Sequence, residues 1–217
     1  MTHPKLPGLL LAAAALVTAA DPVWKTKPIA QWTRDDAKEV TANSPWVRRT
    51  AMAILPQRGE DQLREGGKMG GGGERAGMAK VDSSQKETLT VRWESAAPLR
   101  AAEMLAGETG APDWDGDFYA IAVYDVPGIT PGGQKTLRGE LRQTSFLKRA
   151  GKKDVKPARV EIAPMGGNVA RILYLFPRAA AIGADDRRIE FTSQIGRILV
   201  DASFGAAEME FQGRLEL

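Results

Sequence analysis

The sequence predicts a mainly β protein of the α+β class, an antiparallel β-sandwich or small barrel with one or two short helices near its N-terminal half. Apolar and polar residues alternate from Leu89 to Glu94, the period-two pattern of a strand with one solvated face. Residues 118–126 are almost continuously apolar and rich in aromatic and β-branched side chains, as in a strand buried on both faces. Short apolar segments then follow one another closely from residue 160 to the C-terminus, which indicates a sheet-based fold.

Local signals define the first elements after residue 20. Residues 21–29 carry two prolines and predict an extended lead-in. Thr33 and Asp36 have the spacing of a capping box at the start of a helix over 34–42, which a Ser-Pro pair ends. Residues 46–55 are rich in Val, Thr and Ile and predict the first strand. The following residues, about 57–82, are rich in glycine and poor in apolar side chains, so we expect a flexible loop there.

The second half of the chain is predicted to consist mostly of strands. A short helix is expected over 99–106, because Pro98 suits an N-terminal helix position and Gly107 follows its end. Residues 141–148 fit either a strand or a helix, and the charged residues 148–154 predict a turn. The remaining predicted strands are 160–162, 170–176, 189–195, 198–204 and 209–217.

Length and composition fit one domain over residues 21–217 that binds neither a nucleic acid nor a metal. The chain has 217 residues, 43% of them hydrophobic, which is enough to bury a substantial core. Thirty Lys and Arg residues against 27 Asp and Glu leave a net charge of only +3, too little for a basic field. Cysteine is absent, which excludes disulfides, thiolate metal sites and cysteine nucleophiles. We therefore expect no cofactor.

The first twenty residues have the layout of a secretory signal peptide. Lys5 provides a positive start, residues 9–17 form an apolar run, and small residues follow at 18–20. We expect cleavage after residue 19 or 20 and a periplasmic or secreted location. The apolar run is well short of the about 20 residues that cross a bilayer as a helix, so no transmembrane helix is expected after cleavage.

Few residues could support catalysis. Cleavage would remove His3, the single histidine, so acid–base chemistry would depend on carboxylates, Lys or Tyr. Ser145 and Lys148 have the Ser-x-x-Lys spacing of the penicillin-binding enzymes, but the companion motifs are missing, and in a strand the two side chains face opposite ways. The Asp113–Asp117 segment places carboxylates at alternate positions as a calcium loop does, but Phe118 stands where glycine is required. We interpret this segment as a solvated turn.

Carboxylates within or beside apolar strands are the remaining candidates for an acid or base. They are Glu94, Asp125 and Asp201. A position on the solvated face of a strand explains all three, so we assign no catalytic residue.

Two features suggest binding. Trp32, Trp46, Trp93 and Trp114 could form a platform on which sugars stack, although large aromatic residues more commonly pack in cores. Residues 135–159 contain nine Lys and Arg against two acidic residues. This basic segment could be a groove for an acidic polymer or the solvated face of a hairpin, and no row of aromatic residues interleaves there to stack bases.

Four motifs resemble those of one protein family. They are Trp32-Thr33-x-x-Asp36-Ala37, Ser44-Pro45-Trp46, Arg92-Trp93-Glu94-Ser95-Ala96 and Met209-x-Phe211-x-Gly213-x-Leu215-x-Leu217. Over its whole length the chain resembles a family of uncharacterised secreted proteins of acidobacterial type. Some relatives are labelled for a Gly-Trp-x-Thr-Asp domain, but here Gln31 replaces the glycine and Thr33 follows Trp32 directly. The resemblance implies no known activity or ligand.

These observations favour an exported, soluble, non-enzymatic binding or structural module of the cell envelope, with an envelope component or a glycan as its partner. One alternative is a hydrolase that uses Ser145 with Lys148, or carboxylates. Another is a small outer-membrane β-barrel, because residues 209–217 alternate like the last strand of such a barrel. The terminal Leu217 stands where those barrels usually end on an aromatic residue.

Overall fold

The part of the chain that the structure describes is mainly antiparallel β-sheet, as the sequence predicts. The computed structural model describes residues 21–55, 88–108, 114, 116–129, 134–166 and 169–217. The predicted signal peptide, residues 1–20, and the predicted Gly-rich loop, residues 57–82, lie outside the described residues. The sheets are open and do not close into a barrel.

Helices are short and strands are numerous. The helices are α1 (Val23–Thr26), α2 (Arg34–Asn43), α3 (Ala97–Ala106) and α4 (Gln134–Thr144), with 3-10 turns at Ile29–Gln31 and Ala206–Glu208. The strands are β1 (Val47–Ala51), β2 (Ala53–Ile54), β3 (Thr88–Trp93), β4 (Phe118–Pro127), β5 (Ser145–Arg149), β6 (Arg159–Gly166), β7 (Val169–Pro177), β8 (Arg188–Ile195), β9 (Ile198–Gly205), β10 (Glu210–Phe211) and β11 (Arg214–Leu215). Within the described residues, no helix is long and apolar enough to span a membrane.

Two antiparallel sheets form the body of the fold. The first has the strand order β1-β3-β4-β7-β6 and the second the order β2-β9-β8-β5. Aromatic side chains join them: Trp93 meets Phe204 edge to face at 5.3 Å between ring centroids, and Tyr174 meets Phe191 at 5.0 Å. The architecture is therefore a β-sandwich, whose two inner faces interdigitate.

Strand β4 is buried on both faces, which confirms the prediction from its continuous apolar run. Ile121 and Val123 belong to the main core, whereas Ala120 and Ala122 belong to a second apolar cluster that includes Leu173. One face of β4 therefore packs into the core between the sheets, and Trp114 and Phe118 pack against the cluster on the other face.

Helix α2 begins with the predicted capping box. Thr33 Oγ1 accepts a hydrogen bond from the Asp36 backbone N–H at 3.1 Å, and Asp36 Oδ2 accepts one from the Thr33 N–H at 2.8 Å. These hydrogen bonds satisfy two backbone donors at the helix start. Helix α3, with Pro98 in its first turn and Gly107 as its left-handed C-cap, packs against α2.

The N-terminal segment differs from the prediction in two places. Residues 21–29, predicted as extended, contain the helical turn α1, because Pro22 and Pro28 occupy positions just before helical residues, where proline is tolerated. The single strand predicted over 46–55 is interrupted at Met52, so that β1 joins the first sheet and β2 the second.

The later half also differs in two places. Residues 141–148, predicted as strand or helix, are both, since α4 runs through Thr144 and β5 begins at Ser145. The strand predicted over 209–217 is instead a hairpin of β10 and β11, because Gln212 and Gly213 both take positive φ values. Two consecutive residues with positive φ produce a tight two-residue hairpin turn.

We predict that Phe204→Ala strongly destabilises the protein. Phe204 is fully buried on β9 against Trp93, and removing such a ring leaves a cavity that costs about 3–4 kcal/mol. Chemical denaturation monitored by tryptophan fluorescence measures the free energy of unfolding. The control is Leu199→Ala on the same strand, where the side chain is 38% exposed and the expected cost is below about 1 kcal/mol. Equal losses in both variants would contradict a core between the sheets.

Candidate functional site

The four tryptophans predicted to bind a ligand lie in different environments. Trp46 and Trp93 are completely buried and Trp32 is nearly so. Trp32 packs on Phe211, and its indole N–H donates to the Lys27 carbonyl at 3.1 Å. Trp114 is half-buried beside the second apolar cluster. The structure therefore does not bring the four together as a platform, and Trp114 alone among them retains appreciable exposed surface.

Ser145 and Lys148 lie on opposite faces of β5. Ser145 is buried, and its hydroxyl is 2.9 Å from that of Ser193, which is also 2.9 Å from the Tyr174 hydroxyl. The Lys148 ammonium lies outside, 5.9 Å from the Phe146 ring centroid. Ser-x-x-Lys catalysis needs an amine beside the serine hydroxyl. In this strand the two side chains are on opposite faces and do not form that arrangement.

The carboxylates of the Asp113–Asp117 segment provide no described cation site. Asp113 and Asp115 lie outside the described residues, and Asp117 is exposed. In the part of the chain that the structure describes, no three potential metal ligands converge.

The first part of the predicted basic segment is helix α4, and the part that begins at Ser145 forms a hairpin beside a cavity. Leu147 and Val155 exchange two backbone hydrogen bonds of 2.9 Å, and Gly151 takes a φ of +68° in the turn between them. This turn confirms the interpretation of 148–154. A cavity of about 810 Å³ opens next to it, which we call the basic pocket; it is lined by Phe146, Arg149, Lys153, Asp154, Val155, Lys156 and Ala180.

The walls of the basic pocket combine apolar and cationic groups. Phe146 and Val155 supply apolar surface, and the Lys156 ammonium lies 5.5 Å from the Phe146 ring centroid. Lys153 and Lys156 are exposed, whereas Arg149 is buried. A pocket of this size with apolar walls and a few polar groups is typical of a ligand site. The cations favour an anionic ligand.

A buried carboxylate fixes Arg149 in the pocket wall. Asp186 Oδ2 lies 3.5 Å from Arg149 Nη1 and accepts the Gly183 backbone N–H at 3.0 Å. Its other oxygen, Oδ1, lies 2.7 Å from the Lys152 ammonium nitrogen. Burial alone would raise the pKa of Asp186, but the hydrogen bonds from Lys152 and Gly183 outweigh it and lower that pKa. Asp186 thus stays ionised and neutralises part of the charge behind the pocket.

A second polar cluster lies between α3 and the first sheet. We call it the carboxyl cluster; it consists of Arg92, Glu94, Glu103, Glu108 and Tyr124. Arg92 Nη1 donates to Glu103 Oε1 at 3.1 Å and to Glu108 Oε2 at 2.6 Å. The Tyr124 hydroxyl donates to Glu94 Oε1 at 2.8 Å, and the Arg92 guanidinium lies 4.9 Å from the Tyr124 ring centroid.

Burial controls ionisation in the carboxyl cluster. It raises the pKa of Glu94 to about 8, with the neighbouring Glu103 adding to the rise. Burial likewise raises the pKa of Glu103, although Arg92 opposes the shift. Burial and the adjacent Glu94 also raise the pKa of Tyr124, so the phenol remains a hydrogen-bond donor.

Glu94 is the carboxylate whose environment the sequence interpretation missed. The alternation of β3 suggested a solvated face, but Glu94 is fully buried, because Glu103 on α3 and Tyr124 on β4 cover it. Asp125 and Asp201 are exposed, as the solvated-face interpretation expected. One local signal in the sequence indicates that the end of β3 is covered. It is the short helix predicted to begin beside Pro98, soon after the strand.

Fold and site together define a two-sheet β protein with a basic, partly apolar pocket on its second sheet. Comparison with protein-family models, with curated proteins and with solved structures finds no match to this chain.

We predict that Asp186→Ala destabilises the fold. The substitution leaves the buried Arg149 without its counter-ion, which costs about 3 kcal/mol. Asp185→Ala is the matched control, because its exposed side chain is one residue away and should cost below about 0.5 kcal/mol. Thermal and denaturant unfolding at neutral pH compare the two variants.

Acid titration gives an independent check on Asp186. A carboxyl whose pKa is lower in the folded than in the unfolded state stabilises the fold above its unfolded pKa of about 3.9 and loses that contribution as the pH falls. The difference in unfolding free energy between wild type and Asp186→Ala should therefore shrink in acid. A difference that grows in acid would show that Asp186 is not held ionised.

Proposed function

We propose that this protein is an exported, non-enzymatic binding module of the cell envelope, and that the basic pocket binds an anionic envelope component such as an acidic glycan. The observation that supports this proposal most is the pairing of exposed lysines with an aromatic wall in one cavity. Lys153 and Lys156 lie at the cavity, and Phe146 forms part of its wall.

The charge arrangement favours an anion over a neutral ligand. Asp186 partly neutralises Arg149 and Lys152 behind the pocket. Among the lining residues, all within the described part of the chain, Asp154 supplies a carboxylate against three cations. The lysines at the cavity therefore attract carboxylate or phosphate groups.

The shape of the pocket favours a ligand with a ring or other apolar face. Phe146 is half-buried at an edge strand of the second sheet, where a flat ligand can contact its ring. Sugar rings have apolar C–H faces, and acidic glycans combine such faces with carboxylates. Trp114, half-buried with the Arg100 guanidinium 5.0 Å from its ring centroid, stays a second candidate for stacking on a ligand.

We predict that reversing two pocket charges abolishes most ligand binding. Calorimetric titration of the protein with alginate, a carboxylated polysaccharide, should show salt-sensitive binding, with none to neutral dextran. The double variant Lys153→Glu with Lys156→Glu should weaken alginate binding at least about tenfold, because each lost attraction is worth up to about 1 kcal/mol.

A matched control separates local from overall charge. Lys25→Glu with Lys38→Glu changes the net charge equally on exposed residues of α1 and α2, and should alter the affinity less than about twofold. Equal weakening in both double variants would contradict a site at the basic pocket. Release of reducing ends from alginate would contradict the non-enzymatic part of the proposal.

Export is tested by the mass of the processed protein. When the full chain is expressed in a Gram-negative host, the protein recovered from the periplasm or medium should begin at residue 20 or 21, because the signal peptidase cuts after small residues. Intact-mass spectrometry gives the cleavage position. A chain that is recovered from the cytoplasm with its first residues intact would contradict export.

A further inference from the structure

Glu94 occupies a position in which an ionised carboxylate has too few partners. It follows Trp93, the last residue of β3, and is completely buried. Its Oε1 accepts the Tyr124 hydroxyl, but its Oε2 is buried and has no hydrogen-bond partner in the described part of the chain. A buried carboxylate oxygen without a donor is costly, so this setting favours a carboxylic acid that carries its proton on Oε2.

The neighbour of Glu94 is a second carboxyl group, that of Glu103. Tyr124, which donates to Glu94, lies against Arg92, which donates to Glu103, so the two carboxyl groups belong to one buried cluster. Such a pair can form a hydrogen bond only if one of them carries a proton. Arg92 donates to Glu103 and Glu108, which identifies Glu103 as the ionised member of the pair. Glu94 is then the member that carries the proton, on the Oε2 that has no partner among the described residues.

We propose that the Glu94–Glu103 pair is a proton-dependent latch that fastens α3 to the first sheet. Glu94 directly follows β3, Glu103 lies on α3, and the Tyr124 hydroxyl on β4 holds Glu94 in place. Loss of the shared proton would place two adjacent negative charges in a buried site, and their repulsion would push α3 away from the sheet.

Among the described residues, the charged and titratable groups around the latch come from several elements. Arg92 comes from β3, Tyr124 from β4, and Glu108 follows the end of α3. Arg171 on β7 lies with its guanidinium 5.9 Å from the Tyr124 ring centroid. Glu108 also accepts a hydrogen bond of 2.8 Å from the Thr41 hydroxyl on α2. This hydrogen bond connects the latch to α2.

The latch also borders a small pocket. A cavity of about 310 Å³ is lined by Thr90, Arg92, Glu108, Tyr124, Asp125 and Met165. Arg92 and Tyr124, which form part of its wall, are direct partners of the latch. Opening of the latch would therefore change the shape of this cavity as well as the position of α3.

The pH dependence follows from the direction of the pKa shift. In an open or unfolded state Glu94 titrates near about 4.3, whereas burial in the closed state raises its pKa to about 8. The closed latch is most stable when the pH is below the pKa of Glu94 in the open state, because Glu94 is then protonated in both the open and the closed state. Between the two pKa values only the closed state keeps the proton, so the equilibrium constant for closure falls by up to about tenfold per pH unit. Above about pH 8 it falls no further.

Glu94→Gln is the decisive variant, because the side-chain amide imitates the protonated acid. It can accept from Tyr124 and donate to Glu103 without titrating. Amide hydrogen exchange of α3 is measured in the full-length proteins at about pH 5 and at about pH 8. Between these two pH values the protection of α3 in the wild type should fall at least about tenfold more than in Glu94→Gln. Glu39→Gln, on the exposed face of α2, should behave as wild type.

A measurement on the wild type alone protects the test against a variant that fails to fold. The Cδ resonance of isotope-labelled Glu94 distinguishes a carboxylic acid from a carboxylate. A protonated signal at about pH 6, where an ordinary glutamate is ionised, is the expected result. An ionised Glu94 at that pH, or wild-type and Glu94→Gln proteins with the same pH dependence of exchange, would overturn the proposal.

Discussion

The contact between the two sheets is the interaction on which the rest of the structure depends. The chain has no cysteine, so no disulfide supports the fold, and its stability comes from packing. Edge-to-face rings connect the sheets at Trp93 with Phe204 and at Tyr174 with Phe191. Three buried hydroxyls in this layer satisfy one another, since the Ser193 hydroxyl lies 2.9 Å from those of both Tyr174 and Ser145. A core of this kind tolerates neither a lost ring nor an unpaired hydroxyl, because each leaves a cavity or an unsatisfied group.

Local sequence signals were sufficient where the structure is decided locally. The capping box of Thr33 and Asp36 and the doubly buried strand β4 were predicted because their signals lie within a few residues. The break of the first strand at Met52 was not predictable, because it depends on which sheet each half joins. The helix α4 was missed over its first half, although Leu137 and Leu141 give its polar sequence one apolar face at helical spacing. The hairpin at Gln212 and Gly213 was missed because its alternation is also that of one continuous strand.

The candidate site was predictable in composition but not in shape. The excess of basic residues over 135–159 and the turn at 148–154 are visible in the sequence. The cavity beside that turn depends on Ala180 from a distant loop, and the counter-charge of Arg149 comes from Asp186. Glu94 shows the same limit, because its burial is produced by Glu103 and Tyr124. Tertiary contacts decide which charges are buried, and a single sequence does not display them.

The buried carboxyl groups of Asp186 and Glu94 differ in ionisation because the ratio of cations to carboxylates differs around them. Asp186 alone accepts two cations, Arg149 and Lys152, and so remains ionised. In the carboxyl cluster Arg92 must serve both Glu103 and Glu108, which leaves Glu94 to be neutralised by a proton. Asp186 lies just before β8, beside the basic pocket, and Glu94 lies just after β3, beside α3. The two groups contact different residues, so loss of the proton in the carboxyl cluster changes the attachment of α3 and leaves the ion pairs of Asp186 in place.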